Sequence, residues 1–105
     1  RQAGVIAACG LYALEHNIDR LAEDHGRAQM LAQGISGIAD LPVRHHTNMV
    51  FIEPQAKDLE PLRLHLEARQ VLFGHQQPPI RMVAHLDIDD AGIERAIEAI
   101  RSYYG

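Results

Sequence analysis

Tryptophan, cysteine and lysine are almost missing from this sequence, and each gap closes off a class of function. Tryptophan is absent and aromatic residues amount to only 5%. Cys9 is the single cysteine, so no disulfide can form within the chain. It lies in an apolar helical run and reads as a small core residue, and a reducing cytoplasm is the expected compartment. Basic residues are outnumbered, ten against fourteen acidic ones, for a net charge of -4. That balance, without a basic patch interleaved with aromatics, argues against a nucleic-acid partner and against a membrane surface. The uncharged run Gln2 to Leu14 is too short to cross a bilayer and lacks the charged leader and cleavage site of a signal peptide. Glycine-rich phosphate loops, G-x-S-x-G and H-E-x-x-H are all missing, which leaves a self-contained hydrolase unsupported.

What is present is ordinary in amount and informative in order. With 105 residues, 47% apolar and 23% charged, residues 1–105 make a single globular domain with a modest core. Residues 3 to 16 (AGVIAACGLYALEH) read as a first helix, with Asn17 as a cap or break. A second helix runs to about Gln33; its stripe is Ile18, Leu21, Ala22, His25, Ala28, Ala32 and Ile35, and Gly34 caps it. Leu41 to Arg44 reads as a short strand and Asn48 to Glu53 as a longer one. Asp58 caps a helix to about Arg69, with Pro61 in its first turn. Val71 to Phe73 reads as a strand ended by Gly74, and HQQPP as a loop. A strand over 80 to 88 leads to a final helix capped by Asp89 or Asp90, whose stripe is Ile93, Ala96, Ile97, Ile100 and Tyr104. The order implies an α+β fold: a small antiparallel or mixed sheet with helices packed on one face, preceded by a long apolar helix. A helix apolar on nearly every side needs neighbours all around, so the chain reads as a piece of a larger protein or a subunit of an assembly.

Three residue types could carry chemistry. The seven histidines are spread over most elements without a helical H-x-x-x-H pair, and the adjacent His45 and His46 point to opposite strand faces, so no metal site is expected. His25, on its helix stripe, reads as a satisfied core histidine. Lys57, the only lysine, sits in a polar stretch with neither the desolvation nor the neighbouring cation that a Schiff-base lysine needs. The stretch IRMVAHLDID, residues 80 to 89, is the most telling. Ile80, Met82, Ala84, Leu86 and Ile88 alternate with Arg81, Val83, His85 and Asp87. A mid-strand arginine is held by the ladder on both sides, and its planar fork suits a carboxylate. The plainer reading is a solvated outer face, or a structural pair between Arg81 and Asp87.

RQAGVIAACGLYALEHNIDRLAEDH resembles the start of the C-terminal region of low-specificity L-threonine aldolases. In that family an M-R-Q sequence leads into an alanine-rich helix and then a helix with an L-x-E-D-H pattern; Arg1-Gln2 and Leu21 to His25 match. Thr47-Asn48-Met49 running into Val50-Phe51-Ile52 resembles the family's T-N-M-hydrophobic strand, and R-M-V-A-H-L-D-I resembles its R-L-V-T-H-L-D-V. The resemblance implies the C-terminal small domain of a pyridoxal-phosphate (PLP) enzyme of the aspartate-aminotransferase fold type. The N-terminal catalytic domain, which binds most of the cofactor and holds the Schiff-base lysine, would be absent. It implies cleavage of L-threonine or related β-hydroxy-α-amino acids to glycine and an aldehyde by the parent enzyme, with PLP as electron sink. This stretch alone would be inactive. Arg81 matches the arginine that binds the substrate carboxylate, and Arg1 one that reaches the cofactor phosphate of a neighbouring subunit. His85 and Asn48 lie inside the motifs as supporting structure, and a homo-oligomer, dimer or tetramer, is implied. Ala84 stands where the family usually has threonine, and the HQQPP loop matches no family pattern. Alternatives are the small domain of a β-eliminating lyase, a stand-alone carboxylate-binding α+β module, and a dimerisation domain built on the first helix.

Overall fold

A computed structural model of the chain describes residues 3–16, 18–73, 77–85 and 87–105. Along them run α1 (Ala3–His16), α2 (Ile18–Ile35), β1 (Val43–His46), β2 (Met49–Ile52), α3 (Ala56–Glu67), β3 (Ile80–Val83) and α4 (Asp90–Tyr104). The three strands form one antiparallel sheet in the order β1-β2-β3, so the fold is α+β as the element order implies. Register is set at the first hairpin, where Thr47 and Asn48 alone join β1 to β2 and His46 pairs with Met49. Thr47 has φ 55°, the positive value that a tight hairpin turn needs and that a β-branched residue rarely adopts.

One face of the sheet is buried by helices. Val50, Ile52 and Ile80 meet Ala28, Leu31 and Ile35 of α2, Leu62 and Leu66 of α3, and Ile93 and Ile100 of α4 in one apolar cluster. Helix spacing accounts for this. Residues 28, 31, 32 and 35 share one face of α2, and 93, 96, 97 and 100 share one face of α4. Asp89 caps α4 through its Oδ1, which accepts from the Gly92 N–H at 2.8 Å and satisfies a first-turn donor.

Several expectations need correction. Gly34 lies inside α2 rather than beyond it; a Cβ there would meet Ile97 Cδ1 at 2.5 Å, so the glycine serves the close approach of α2 to α4. The left-handed residue is Gly37, φ 83°, and Arg101 of α4 donates to the Gly34 and Ser36 carbonyls at the end of α2. Gln55, not Asp58, stands at the N-cap of α3; the helix therefore begins earlier, Pro61 falls in its second turn, and Asp58 accepts instead from the Tyr103 hydroxyl at 2.9 Å. The helix closes with Gln70 at φ 63° and the Val71 N–H on the Leu66 carbonyl, a left-handed end. Residues 71–73 are not a strand, and Phe73 is buried in the core. The first strand is shifted two residues, to Val43–His46, and the last ends at Val83. His25 is exposed, and Asp24 takes the buried position, 7% accessible, because the core face of α2 runs through residues 24, 28, 31 and 35. Asn17, Gly74, His75 and Leu86 lie outside the described residues.

α1 stands apart. Not one of its residues is buried: Val5, Ile6, Leu11, Tyr12 and Leu14 are each about 60% accessible or more, and Cys9 is exposed rather than in a core. The exposed apolar surface continues into α2 at Ile18 and Leu21. The molecule is accordingly long, 51 × 26 × 22 Å.

Candidate functional site

Alternation along β3 divides its side chains as the sequence implies. Ile80 and Ala84 are buried and Met82 and Ile88 pack against the core, whereas Arg81 and His85 are exposed. Arg81 is paired in register with Phe51 of β2, and Phe51 in turn with Arg44 of β1. Residues directly opposite in a ladder share a face, so Arg44, Phe51 and Arg81 form one row across the uncovered side of the sheet. His46, Met49 and Val83 form the next. The Arg44 guanidinium lies over the Phe51 ring, 5.5 Å from its centroid, in cation–π geometry.

β3 is an edge strand, and along its free side runs a cleft of about 600 Å³. Its polar lining includes Arg81, His85, Asp87, Asp89 and Arg95; Val50, Phe73 and Ile93 supply apolar surface. The end of β3 is fixed by Asn48. The Ala84 N–H donates to the Asn48 carbonyl at 2.8 Å, and Asn48 Nδ2 donates to the Ala84 carbonyl at 2.9 Å. This clamp stops the ladder at Ala84 and turns the chain. The Ile88 N–H then bonds the His85 carbonyl at 3.0 Å, and the Asp87 N–H reaches His85 Nδ1 at 3.3 Å. With Nδ1 accepting, the imidazole proton belongs on Nε2. Asn48 and His85 thus shape the turn beside Arg81.

A second polar group lies between α3 and α4. His65 Nε2 is 2.9 Å from Ser102 Oγ, which donates to the Ala99 carbonyl at 2.8 Å, and Arg69 Nη1 is 3.3 Å from His65 Nδ1. Because arginine only donates, Nδ1 accepts and Nε2 carries the proton toward Ser102. The histidine cannot then take a proton from the serine, so this is a structural relay rather than an activated nucleophile.

The described residues do not by themselves make a site for pyridoxal phosphate. Lys57 is exposed in the first turn of α3 and is not among the residues lining the cleft. Arg1, assigned by resemblance to the cofactor phosphate, lies outside the described residues. What the arrangement offers chemically is an arginine fork on a fixed strand at the rim of a cleft, suited to an anionic group. The partnership of Arg81 with Arg44 through Phe51 was missed in the sequence, because it depends on the β1–β2 register.

Comparison with known proteins places this arrangement in context. The family model for beta-eliminating lyases matches residues 1–57. Curated relatives include the low specificity L-threonine aldolase of Escherichia coli (strain K12), 38% identical over 88 residues, covering 84% of this chain and 26% of that protein. Low-specificity L-threonine aldolase 1 of Arabidopsis thaliana is 30% identical over 108 residues, covering 96% of this chain and 30% of that protein. A probable low-specificity L-threonine aldolase 2 of the same plant is 30% identical over 117 residues, covering 99% and 31%. The chain spans about a quarter to a third of the length of the curated relatives it matches.

Proposed function

The chain belongs to the beta-eliminating lyase family, and from that premise we propose that it is the C-terminal small domain of a PLP-dependent aldolase. The reaction is cleavage of L-threonine or a related β-hydroxy-α-amino acid to glycine and an aldehyde. The observation that carries the reading is Arg81, exposed on β3 at the rim of a cleft, inside the R-M-V-A-H-L-D-I motif. In this role its guanidinium receives the α-carboxylate through two parallel hydrogen bonds. Pyridoxal phosphate is held mainly by residues outside this chain, and Arg1 is assigned by the resemblance to the cofactor phosphate of a neighbouring subunit. The exposed apolar surface of α1 supports burial against the rest of the enzyme or a second copy in a cytoplasmic homo-oligomer.

Arg81→Lys in the full-length enzyme tests this. A point charge cannot reproduce the fork, so KM for the amino acid should rise by about tenfold or more, a change in binding rather than in the chemical step. Unchanged kinetics would return Arg81 to a surface role. Product analysis separates the alternative favoured by the family model's name: glycine with an aldehyde marks an aldolase, pyruvate with ammonia a β-eliminating lyase. The 105 residues alone should give no aldol cleavage and no specific borohydride-trapped adduct on Lys57 by mass; both together would overturn the division of labour proposed here.

A further inference from the structure

We propose that Arg44, seated on Phe51, is a positioning residue that holds Arg81 turned toward the cleft. The inference rests on the reading of Arg81 as the carboxylate arginine. Three observations carry it. Arg44, Phe51 and Arg81 occupy one row of the open sheet face, each directly opposite the next. The Phe51 ring, an attractive resting place for either guanidinium, is taken by Arg44 at 5.5 Å. Arg81 lines the cleft at the free edge of β3, the side of the sheet away from β1.

Phe51 is the natural competitor for Arg81. Opposed side chains on neighbouring strands start about 5 Å apart at Cβ, so an arginine opposite a phenylalanine can lay its stem and fork on the ring. An Arg81 resting there would point along the sheet and not into the cleft. Arg44 prevents this twice over, by filling the ring and by like charge. The two strands that carry the arginines are separated by about 9.5 Å, two inter-strand spacings. At that distance the direct repulsion in water-like surroundings is only about 0.4 kcal/mol. The field alone therefore changes affinity about twofold, and a larger effect requires Arg81 to move. Among the described residues Arg44 makes no ion pair that would draw it from the ring.

The test uses the full-length enzyme and reads KM and kcat for the amino acid substrate in four variants. Arg44→Glu replaces repulsion with an internal partner for Arg81 and should raise KM about tenfold with kcat within about twofold. Arg44→Ala leaves the Phe51 ring open to Arg81 and removes only a weak field; it should raise KM about three- to fivefold, an effect that a field alone cannot produce. Arg44→Lys retains a cation over the ring and should stay within about twofold of wild type. Arg81→Lys is the reference. If it raises KM while Arg44→Glu and Arg44→Ala do not, the positioning role is overturned and Arg81 keeps its function. If Arg81→Lys itself leaves KM unchanged, the reading of the site fails first, and this inference with it. A fall in kcat matching the rise in KM, or loss of the native circular dichroism in both Arg44→Glu and Arg44→Ala, would make the row a structural element and overturn the proposal as well.

Discussion

α1 and α4 are nearly the same length, 14 and 15 residues, yet they sit in opposite environments. α4 carries Ile93, Ala96, Ile97 and Ile100 on one face and Glu94, Arg95, Glu98 and Arg101 elsewhere, and it buries its apolar face against α2 and α3. α1 is the more apolar of the two, with Glu15 and His16 as its only ionisable groups besides Cys9 and Tyr12, and it buries nothing within the chain. Apolar content therefore does not decide burial here; a one-sided pattern with neighbours to receive it does. The body of the domain buries its apolar face on itself, and the N-terminal helix leaves its apolar side chains exposed.

The sharpest way to break that contrast is to delete apolar volume in each region. Ile100→Ala removes a fully buried side chain and should cost about 2–5 kcal/mol, the range for buried isoleucine truncations. Leu11→Ala, at a position 59% accessible, should change the stability of the 105-residue chain by less than about 0.5 kcal/mol. Urea unfolding of both variants at two protein concentrations checks this. A comparable, concentration-dependent loss at Leu11 would mean that α1 packs between copies.

A second, smaller effect tests how tightly the body is packed. Gly34→Ala brings a Cβ to 2.5 Å from Ile97 Cδ1, too close without displacement, and should cost about 1–3 kcal/mol as overpacking. Shortening the obstacle should restore part of it, so Gly34→Ala combined with Ile97→Ala should be less destabilised than the two single losses predict. Strict additivity in that double-mutant cycle would show that the two positions do not meet.

The body should also fail first in alkali. Burial raises the hydroxyl of Tyr104 to about 12, with the negative charge of Asp58 adding to it; burial and then the hydrogen bond to Asp58 raise Tyr103 as well. A raised value in the folded state means that this contribution to stability is complete below the unfolded tyrosine value of about 10. It is lost as pH climbs from there through about 12. Denaturation midpoints should therefore hold steady up to about pH 10 and fall above it, and Tyr104→Phe should flatten that fall. An unaltered alkaline limb in the variant would place the titration elsewhere.

Much of this contrast is legible in the sequence, and the exceptions share a physical cause. α1, the stripe of α4 and the Asp89 cap follow from periodicity and capping chemistry, which are local. Arg81 on the outer face of β3 follows from alternation. What was not legible depends on tertiary registration. β1 reads poorly because three of its four residues are exposed and polar, so its strand character comes from pairing with β2 rather than from its own composition. The two-residue turn that sets this pairing uses Thr47 at positive φ, where asparagine or glycine would have signalled a hairpin. Without that turn, Arg44 cannot be placed opposite Phe51, nor Phe51 opposite Arg81. Gly34 reads as a helix end because glycine usually is one, and only the approach of Ile97 explains it inside α2. The stripe through Ile18, Leu21 and His25 assumes that one face of α2 is buried throughout, whereas burial begins only at Asp24.

Asp24 marks the boundary between the two regions and gives the smallest effect. It is the first buried residue among those described, 7% accessible, and its Oδ1 accepts no hydrogen bond. A buried acceptor without a donor costs about 1–3 kcal/mol, so its removal should be cheap. Asp24→Leu, of the same branched shape but apolar and larger, should change the stability of the 105-residue chain by less than about 1 kcal/mol, or raise it. In the full-length enzyme proposed above the same substitution is destabilising only where a donor from outside these 105 residues reaches Oδ1. Thermal unfolding of both forms separates the cases. If Asp24→Leu costs the short chain as much as Ile100→Ala, the carboxylate is already satisfied there, and the boundary between the self-contained body and the waiting helix lies nearer α1 than Asp24.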